Sequence, residues 1–189
     1  MRRIAVILTC FNRRDLTLSC LHHLDHQTAL MEDSAGQRSN EIVVFLVDDG
    51  STDGTATAVH EAYPEVEIID GTGELFWNRG MHLAWATALE RGGFDHYLLL
   101  NDDTILFPDA LEQLIYAAEH PEDGSSGLGL AVGATTDPHT ERFNYGGYVR
   151  NSKWNPMKLR HRDLSGTERV ETMNCNAVLV PAAIVDEIG

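Results

Sequence analysis

The sequence is poor in cysteine and in basic residues, and no apolar stretch is long enough to cross a bilayer. Cys10, Cys20 and Cys175 are too few and too scattered for a disulfide framework or a zinc site, which indicates free thiols in a reducing compartment. Lys and Arg number 14 against 29 Asp and Glu, so the formal net charge is −15. This charge argues against binding of nucleic acid or of anionic lipid, because both require a positive surface.

The length and composition predict a single domain with a hydrophobic core. The 189 residues are 43% hydrophobic, which is too apolar for a disordered chain. The apolar run at residues 4–8 is too short for a signal peptide, and Arg13 and Arg14 follow it closely. A protein this acidic would need a divalent cation to offset repulsion from a phosphorylated ligand.

Strands and helices alternate along the first two thirds of the chain. Apolar runs predict buried strands at residues 4–8, 42–47, 66–69, 97–100, 128–134 and 173–180. Spaced apolar residues and capping signals predict helices at residues 16–24, 51–63, 81–89, 108–118 and 181–189. This order indicates an α/β fold with a mostly parallel central sheet that is flanked by helices.

Three polar clusters follow predicted strands, at residues 9–12, 48–51 and 101–103. The carboxyl ends of parallel strands meet at one edge of a sheet, where ligands bind. The adjacent carboxylates of Asp102 and Asp103 repel each other unless a cation or hydrogen bonds relieve them, and Mg²⁺ or Mn²⁺ would do so. Helix-capping turns are the alternative interpretation of the acidic clusters.

Three other features admit two interpretations each. Residues 77–80 precede a predicted helix and are either a phosphate-binding turn or an ordinary helix start. His22 and His26 have the spacing of metal ligands, but a solvated helix face is the favoured interpretation. The basic stretch at residues 153–162 is either a solvated loop, which we favour, or a contact for an anionic acceptor.

Taken together, the segments VILTCFNR, VDDGSTDGT, LFWNRGMHLAWATAL, YLLLNDDT, YGG and MNCNAVLVP resemble a known family. Their order and spacing, over nearly the whole chain, are similar to the family 2 glycosyltransferases of the GT-A fold, especially the rhamnosyltransferase-like branch. The resemblance implies a Rossmann-like, three-layer α/β/α domain over residues 1–189. Residues 1–120 would form the nucleotide-sugar-binding half and residues 121–189 an incomplete acceptor-side half. Its members transfer a sugar, with inversion, from a nucleoside-diphosphate sugar to an acceptor hydroxyl.

The resemblance also implies roles for particular residues. Asp49 would contact the nucleobase, Asp102 the ribose or sugar, and Asp103 would hold Mg²⁺ or Mn²⁺, with Asn101 at the first position of the D-x-D motif. The remaining donor-binding residues would be Thr9, Cys10, Phe11, Asn12, Trp77, Asn78, Arg79 and Gly80. Acceptor-side residues would be Tyr145, Gly146, Gly147, Asn174 and Asn176.

The resemblance places the general base in a stretch that would begin where this chain ends. We therefore expect the base to lie beyond Gly189, and this chain to bind donor and metal with little turnover. The resemblance implies polysaccharide or glycolipid assembly at the cytoplasmic side, with a saccharide or lipid-linked acceptor. Whether the protein makes peripheral contact with the inner face of the membrane is left open. A non-catalytic nucleotide-sugar-binding module and a sugar-phosphate nucleotidyltransferase remain alternatives. The sequence does not choose the sugar, the nucleobase or the acceptor.

Overall fold

The computed structural model describes residues 1–32, 36–121, 128–137, 140, 142–152, 154–155, 158–161 and 166–188. Its strands are β1 (Arg2–Cys10), β2 (Asn40–Asp48), β3 (Glu67–Asp70), β4 (His96–Leu100), β5 (Ala131–Val132), β6 (Thr135–Thr136), β7 (Phe143–Tyr145), β8 (Gly147–Arg150), β9 (Leu159–His161), β10 (Thr172–Met173) and β11 (Ala177–Pro181). Its α-helices are α1 (Arg14–Asp25), α2 (Thr55–Ala62), α3 (Phe76–Arg91), α4 (Ala110–Glu119) and α5 (Ala182–Ile188). No helix among these residues is long and apolar enough to span a membrane.

The central sheet has six strands in the order β3-β2-β1-β4-β11-β5. The first four strands are parallel to their neighbours, and Val6 of β1 pairs with Val44 of β2 and Leu98 of β4. Strand β11 runs antiparallel to both β4 and β5. The mostly parallel sheet is therefore confirmed, and the antiparallel strand β11 brings the segment just before it to the carboxyl end of β4.

Helices cover both faces of the sheet, as predicted. Successive side chains of a strand point to opposite faces, so Val6 and Leu8 pack with α1, α2 and α4, whereas Ala5 and Ile7 pack with α3 and α5. Residues 4–8 of β1 are apolar and fully buried because both faces of the strand are covered. The result is a three-layer α/β/α arrangement.

Several element boundaries differ from the prediction. Leu16, assigned to the apolar stripe of α1, is exposed, and Thr17 is buried in its place at helical spacing from Cys20 and Leu21. Helix α3 begins at Phe76 instead of near residue 81. Of the strand predicted at 128–134, only β5 forms, because its pairing with β11 extends over two residues.

A second, smaller region follows the parallel sheet. Strand β8 lies between β9 and β10 in an antiparallel three-stranded sheet, and β6 pairs with β7. The strand predicted at 173–180 is divided into β10 and β11, and residues 174–176 connect them. Residues 153 and 162 of the predicted basic stretch lie outside the described residues.

Candidate functional site

Asp102 and Asp103 follow β4 and share one cationic partner. Nη1 of Arg13 lies 2.7 Å from Oδ2 of Asp103 and 3.3 Å from Oδ1 of Asp102. Thr17 donates its hydroxyl to the other oxygen of Asp102 at 3.4 Å. Asp102 is buried, whereas the side chain of Asp103 is 43% exposed. The two carboxylates therefore converge on a point that the guanidinium of Arg13 occupies.

Burial dominates the electrostatics of this pair. It raises the pKa of Asp102 to about 6, because the charged form loses its hydration; Arg13 lowers the pKa and Asp103 raises it. A cation beside Asp102 thus stabilises a carboxylate that is otherwise costly to ionise. Arg13 provides such a cation within the chain itself.

The donor set fits Mg²⁺ or Mn²⁺ completed by ligands from a substrate. Carboxylate oxygens are the ligands that these hard cations prefer, and such ions commonly use one or two carboxylates together with phosphates and water. Among the described residues no group of three or more His, Cys, Asp and Glu side chains converges as a metal site. The rings of His22 and His26 lie 4.2 Å apart, and Nδ1 of His26 bonds to the carbonyl of His22, so their proximity has a structural cause.

Asp49, at the end of β2, organises the start of α3. It is 4% exposed. One carboxylate oxygen accepts from the amide of Gly73 at 2.8 Å, and the other accepts from the amides of Leu75 and Phe76, both at 2.9 Å. Phe76 has a positive φ of 56° and begins the helix there. Helix α3 begins early because this distant carboxylate satisfies amides at its start. Nucleobase contact by Asp49 stays a prediction.

Hydrogen bonds tie the turn after β1 to the turn after β2. Asn12 donates its backbone amide to Oγ of Ser51 at 2.9 Å, and its side-chain oxygen accepts from the amide of Thr52 at 2.7 Å. Of the predicted donor segment, Thr9 and Cys10 are buried, whereas Phe11 is 53% exposed and reaches the surface with Asn12. Burial raises the pKa of the Cys10 thiol to about 12, so it stays protonated.

An amide in the D-x-D position joins two parts of the site. Oδ1 of Asn101 accepts from Nε1 of Trp77 at 2.9 Å, and Nδ2 of Asn101 donates to Oδ1 of Asn176 at 3.1 Å. This pair of hydrogen bonds, the Asn101 relay, was not predicted from the sequence. Its only signal was an asparagine, which both donates and accepts, where the motif has an aspartate.

The rest of the 77–80 segment serves the start of α3. Arg79 turns back along the helix, and its guanidinium donates to the carbonyls of Glu74 and Leu75. Gly80 packs against Thr9 so closely that an added Cβ would lie 2.3 Å from the threonine Oγ1. Asn78 is exposed. Gly80 is thus required by packing, independently of any ligand.

The two predicted acceptor-side segments lie side by side. The amide of Asn174 donates to the carbonyl of Gly146 at 3.0 Å. Gly147 packs on Val170 with no room for a Cβ, and Tyr145 is 47% exposed. Oδ1 of Asn174 is buried, with no hydrogen-bond partner among the described residues. Through Asn176, these segments connect to Asn101 and hence to Trp77.

Comparison with known proteins gives a concordant result. A hyaluronan synthase from Streptococcus pyogenes is 36% identical over 76 residues, which are 38% of this chain and 18% of that relative. An N-acetylglucosaminyltransferase from Mesorhizobium japonicum is 34% identical over 116 residues, 59% of this chain and 24% of that relative. The chain therefore matches about a fifth to a quarter of the length of these curated relatives.

A solved structure shows the same fold. It is a mannosyltransferase from Pyrobaculum calidifontis in complex with GDP-Man and Mn²⁺, with a TM-score of 0.60 at 17% identity, over 100% of this chain and 47% of that one. This likeness identifies the three-layer arrangement as the GT-A fold. Residues 5–178 match the family model described as glycosyl transferase family 2. The chain therefore belongs to glycosyl transferase family 2.

Proposed function

We propose that this chain binds a nucleoside-diphosphate sugar at the carboxyl edge of its parallel sheet and takes part in transferring the sugar to an acceptor hydroxyl, with inversion. The observation that carries the proposal is the convergence of Asp102, Asp103 and Arg13 at this edge in a family 2 chain. Residues 1–120 would supply the donor half and residues 121–189 the acceptor side. The same proposal covers rhamnosyltransferase-like chemistry, which rests on the motifs alone.

Asp103 and Asp102 would hold Mg²⁺ or Mn²⁺, which when bound neutralises charge on the diphosphate leaving group. Asp103 is the more accessible ligand, and Asp102 adds the second negative charge from beneath. The guanidinium of Arg13 leaves the carboxylates and donates to the diphosphate, a geometry for which arginine is suited. Phe11 and Trp77 have exposed rings, and the indole of Trp77 is bonded to Asn101, the neighbour of Asp102. Both rings would shield a bound donor from water.

The acceptor hydroxyl would attack the anomeric carbon of the donor as the bond from that carbon to the diphosphate breaks, and its proton would pass to a general base. The acceptor would approach from the side of Tyr145, Gly146, Gly147, Asn174 and Asn176. None of the described residues is assigned as that base. Donor binding is therefore the property that tests the proposal, since we expect little turnover from this chain alone. A saccharide or lipid-linked acceptor at the cytoplasmic face completes the proposal.

The two alternatives predict different behaviour. A nucleotidyltransferase would release pyrophosphate from a nucleoside triphosphate and would favour a glycine-rich loop after β1. The turn here is Phe11–Asn12 instead, and Ser51 and Thr52 bind it. A non-catalytic module would bind the nucleotide sugar without any transfer, even when the chain is part of a longer protein with an acidic base.

Calorimetric titration of UDP, GDP and dTDP, each with and without Mn²⁺, tests the proposal. We expect one diphosphate to bind in the presence of Mn²⁺ and to bind at least tenfold more weakly without it. The preferred diphosphate also identifies the nucleobase of the donor. If none of the three binds to well-folded protein, the proposed donor site is wrong.

A further inference from the structure

The positive charge of the chain is concentrated in one segment. Residues 142–162 contain six of the 14 Lys and Arg residues, including both lysines, and none of the 29 Asp and Glu residues. The remainder of the chain is correspondingly more acidic than the net charge of −15 indicates. The net charge of the whole chain therefore does not describe this segment, which is locally positive.

Within this segment, the described residues of β8 and β9 form a hairpin whose described cations are exposed to solvent. Strands β8 and β9 pair antiparallel, with Arg150 opposite Leu159 and Val149 opposite Arg160. We call the described residues 147–152, 154–155 and 158–161 the basic hairpin. Arg150, Lys158 and Arg160 are all exposed. The amide of Asn151 closes the hairpin by donating to the carbonyl of Lys158 at 2.7 Å.

The arginines elsewhere are used differently. Within the described residues, the ion pairs to carboxylates involve the following arginines: Arg2, Arg3, Arg13, Arg14, Arg38 and Arg91. None of those pairs includes Arg150, Lys158 or Arg160. The carboxylate of Glu171, directly before β10, accepts a hydrogen bond from the backbone amide of Arg150 at 2.6 Å. The cations of the hairpin are thus available to an external anion.

A fully exposed indole lies at the end of the hairpin. Trp154 is 97% exposed. Oγ of Ser152 accepts from the amides of Trp154 and Asn155, at 3.2 and 3.1 Å, and these bonds fix the turn while leaving the indole outside. Tryptophan is favoured at the boundary between lipid headgroups and acyl chains, because one part of its ring is apolar and the N–H is polar.

We propose that the basic hairpin docks on a bilayer surface that contains anionic lipids. Trp154 enters the headgroup layer, and Lys158 and Arg160, which share one face of the hairpin, contact lipid phosphates. A bilayer surface accounts both for the cations and for an indole at the tip, and heparin serves below as the soluble anionic polymer for comparison. The acidic remainder of the chain orients the protein, since it is repelled by the same surface.

The net charge of the whole chain argues against binding of anionic lipid, but it does not describe the basic hairpin. Salt screens charges beyond about 10 Å, so attraction to a surface depends on the residues that approach it. The hairpin also begins at Gly147, directly after the predicted acceptor-side residues Tyr145 and Gly146. Docking would present that side to a lipid-linked acceptor; this consequence rests on the proposed function, whereas the docking itself does not.

Vesicle flotation without nucleotide tests the inference. One set of vesicles is phosphatidylcholine alone, and the other is phosphatidylcholine mixed with phosphatidylglycerol. We expect binding to the mixed vesicles only, with loss of binding in high salt. Arg160→Gln should weaken it about fivefold, and Lys158→Gln with Arg160→Gln about 25-fold. Arg38→Gln removes one exposed charge elsewhere and should leave binding unchanged.

Tryptophan fluorescence supplies a second readout. The native protein should show a blue shift with the mixed vesicles, and Trp154→Phe should abolish it although Trp77 and Trp85 remain. Equal binding to both vesicle types, binding to heparin but not to vesicles, or equal effects of Arg160→Gln and Arg38→Gln would overturn the inference. Because these measurements contain no nucleotide, their failure is distinct from a failure of the diphosphate titration.

Discussion

The indole N–H of Trp77 donates a 2.9 Å hydrogen bond to the side-chain oxygen of Asn101, 24 residues further along the chain. Asn101 in turn donates to Asn176, the residue directly before β11, which runs antiparallel to β4. One amide thereby connects the start of α3 with the predicted acceptor side. Its oxygen and its nitrogen are both engaged, so Asn101 acts in this structure as a link between elements.

Replacement of Asn101 by Leu should remove both hydrogen bonds while nearly preserving volume. We expect the free energy of unfolding to fall by about 1–2 kcal/mol, because each bond contributes about 1 kcal/mol. Urea unfolding measures the loss. Asn78→Leu is the matched control, since Asn78 is exposed in the first turn of α3. Equal losses in the two variants would show that the relay contributes nothing to stability.

Asp49→Asn should disrupt the start of α3. In the native protein the carboxylate of Asp49 accepts hydrogen bonds from the backbone amides of Gly73, Leu75 and Phe76. The asparagine variant presents an NH₂ group, which cannot accept, to part of this set. Loss of one or more of these hydrogen bonds to a charged group costs about 1.5–3 kcal/mol. Urea unfolding should show this loss and no comparable loss for Asp70→Asn, at the exposed end of β3. A variant of Asp49 as stable as native protein would contradict this role.

Arg13→Met should change the affinity of the nucleotide-free protein for Mn²⁺. The guanidinium lies on both carboxylates of the aspartate pair, so it competes with any other cation there. We expect the variant to bind Mn²⁺ about tenfold more tightly, as measured by electron paramagnetic resonance of the free ion. Arg14→Met is the control, because Arg14 pairs with Asp15 instead. Weaker Mn²⁺ binding by Arg13→Met would mean that Arg13 helps to form the metal site.

His96→Leu should reduce the sensitivity of the fold to acid. Burial lowers the pKa of His96, although Glu119 opposes this shift, and Nδ1 has no hydrogen-bond partner among the described residues. The unfolded chain therefore binds a proton more readily than the folded protein does. Stability is present above the ordinary histidine pKa of about 6.5 and is lost as the pH falls below it.

Urea unfolding between about pH 7.5 and about pH 5, an interval that includes that pKa, measures the effect. The decline in unfolding free energy should be smaller in His96→Leu than in native protein. His60→Leu, at an exposed position of α2, should leave the decline unchanged. Identical pH profiles for native protein and His96→Leu would exclude His96 as the source.

The layered fold was predictable because it depends on local patterns. Uninterrupted apolar runs such as 4–8 indicate strands buried on both faces, and acidic turns after them indicate a ligand edge. The direction of β11 was not predictable, since an apolar run reads the same in parallel and antiparallel strands. Leu16 was misplaced because its spacing fits the stripe nearly as well as that of Thr17.

The contacts within the site were beyond the sequence analysis because they join distant residues. Arg13 meets Asp103 across 90 positions, and Asp49 meets Phe76 across 27. A pattern within one segment contains no information about such pairs. The motif resemblance selected Asp49, Asp102 and Asp103 as important, but the bonds that Asp49 makes in the structure are to backbone amides. The basic stretch was visible in the sequence, whereas the antiparallel pairing of β8 with β9 was not.

The most direct test of the account is the affinity of Asp103→Ala for the preferred nucleoside diphosphate with Mn²⁺, measured by calorimetry beside Asp25→Ala. Asp25 lies at the opposite end of α1 from Arg13, so its replacement controls for the loss of one carboxylate. The account predicts that Asp103→Ala loses Mn²⁺-dependent binding by about a hundredfold or more, because the accessible metal ligand is gone, whereas Asp25→Ala binds like native protein. Unchanged binding by a folded Asp103→Ala would contradict a donor site at Asp102 and Asp103.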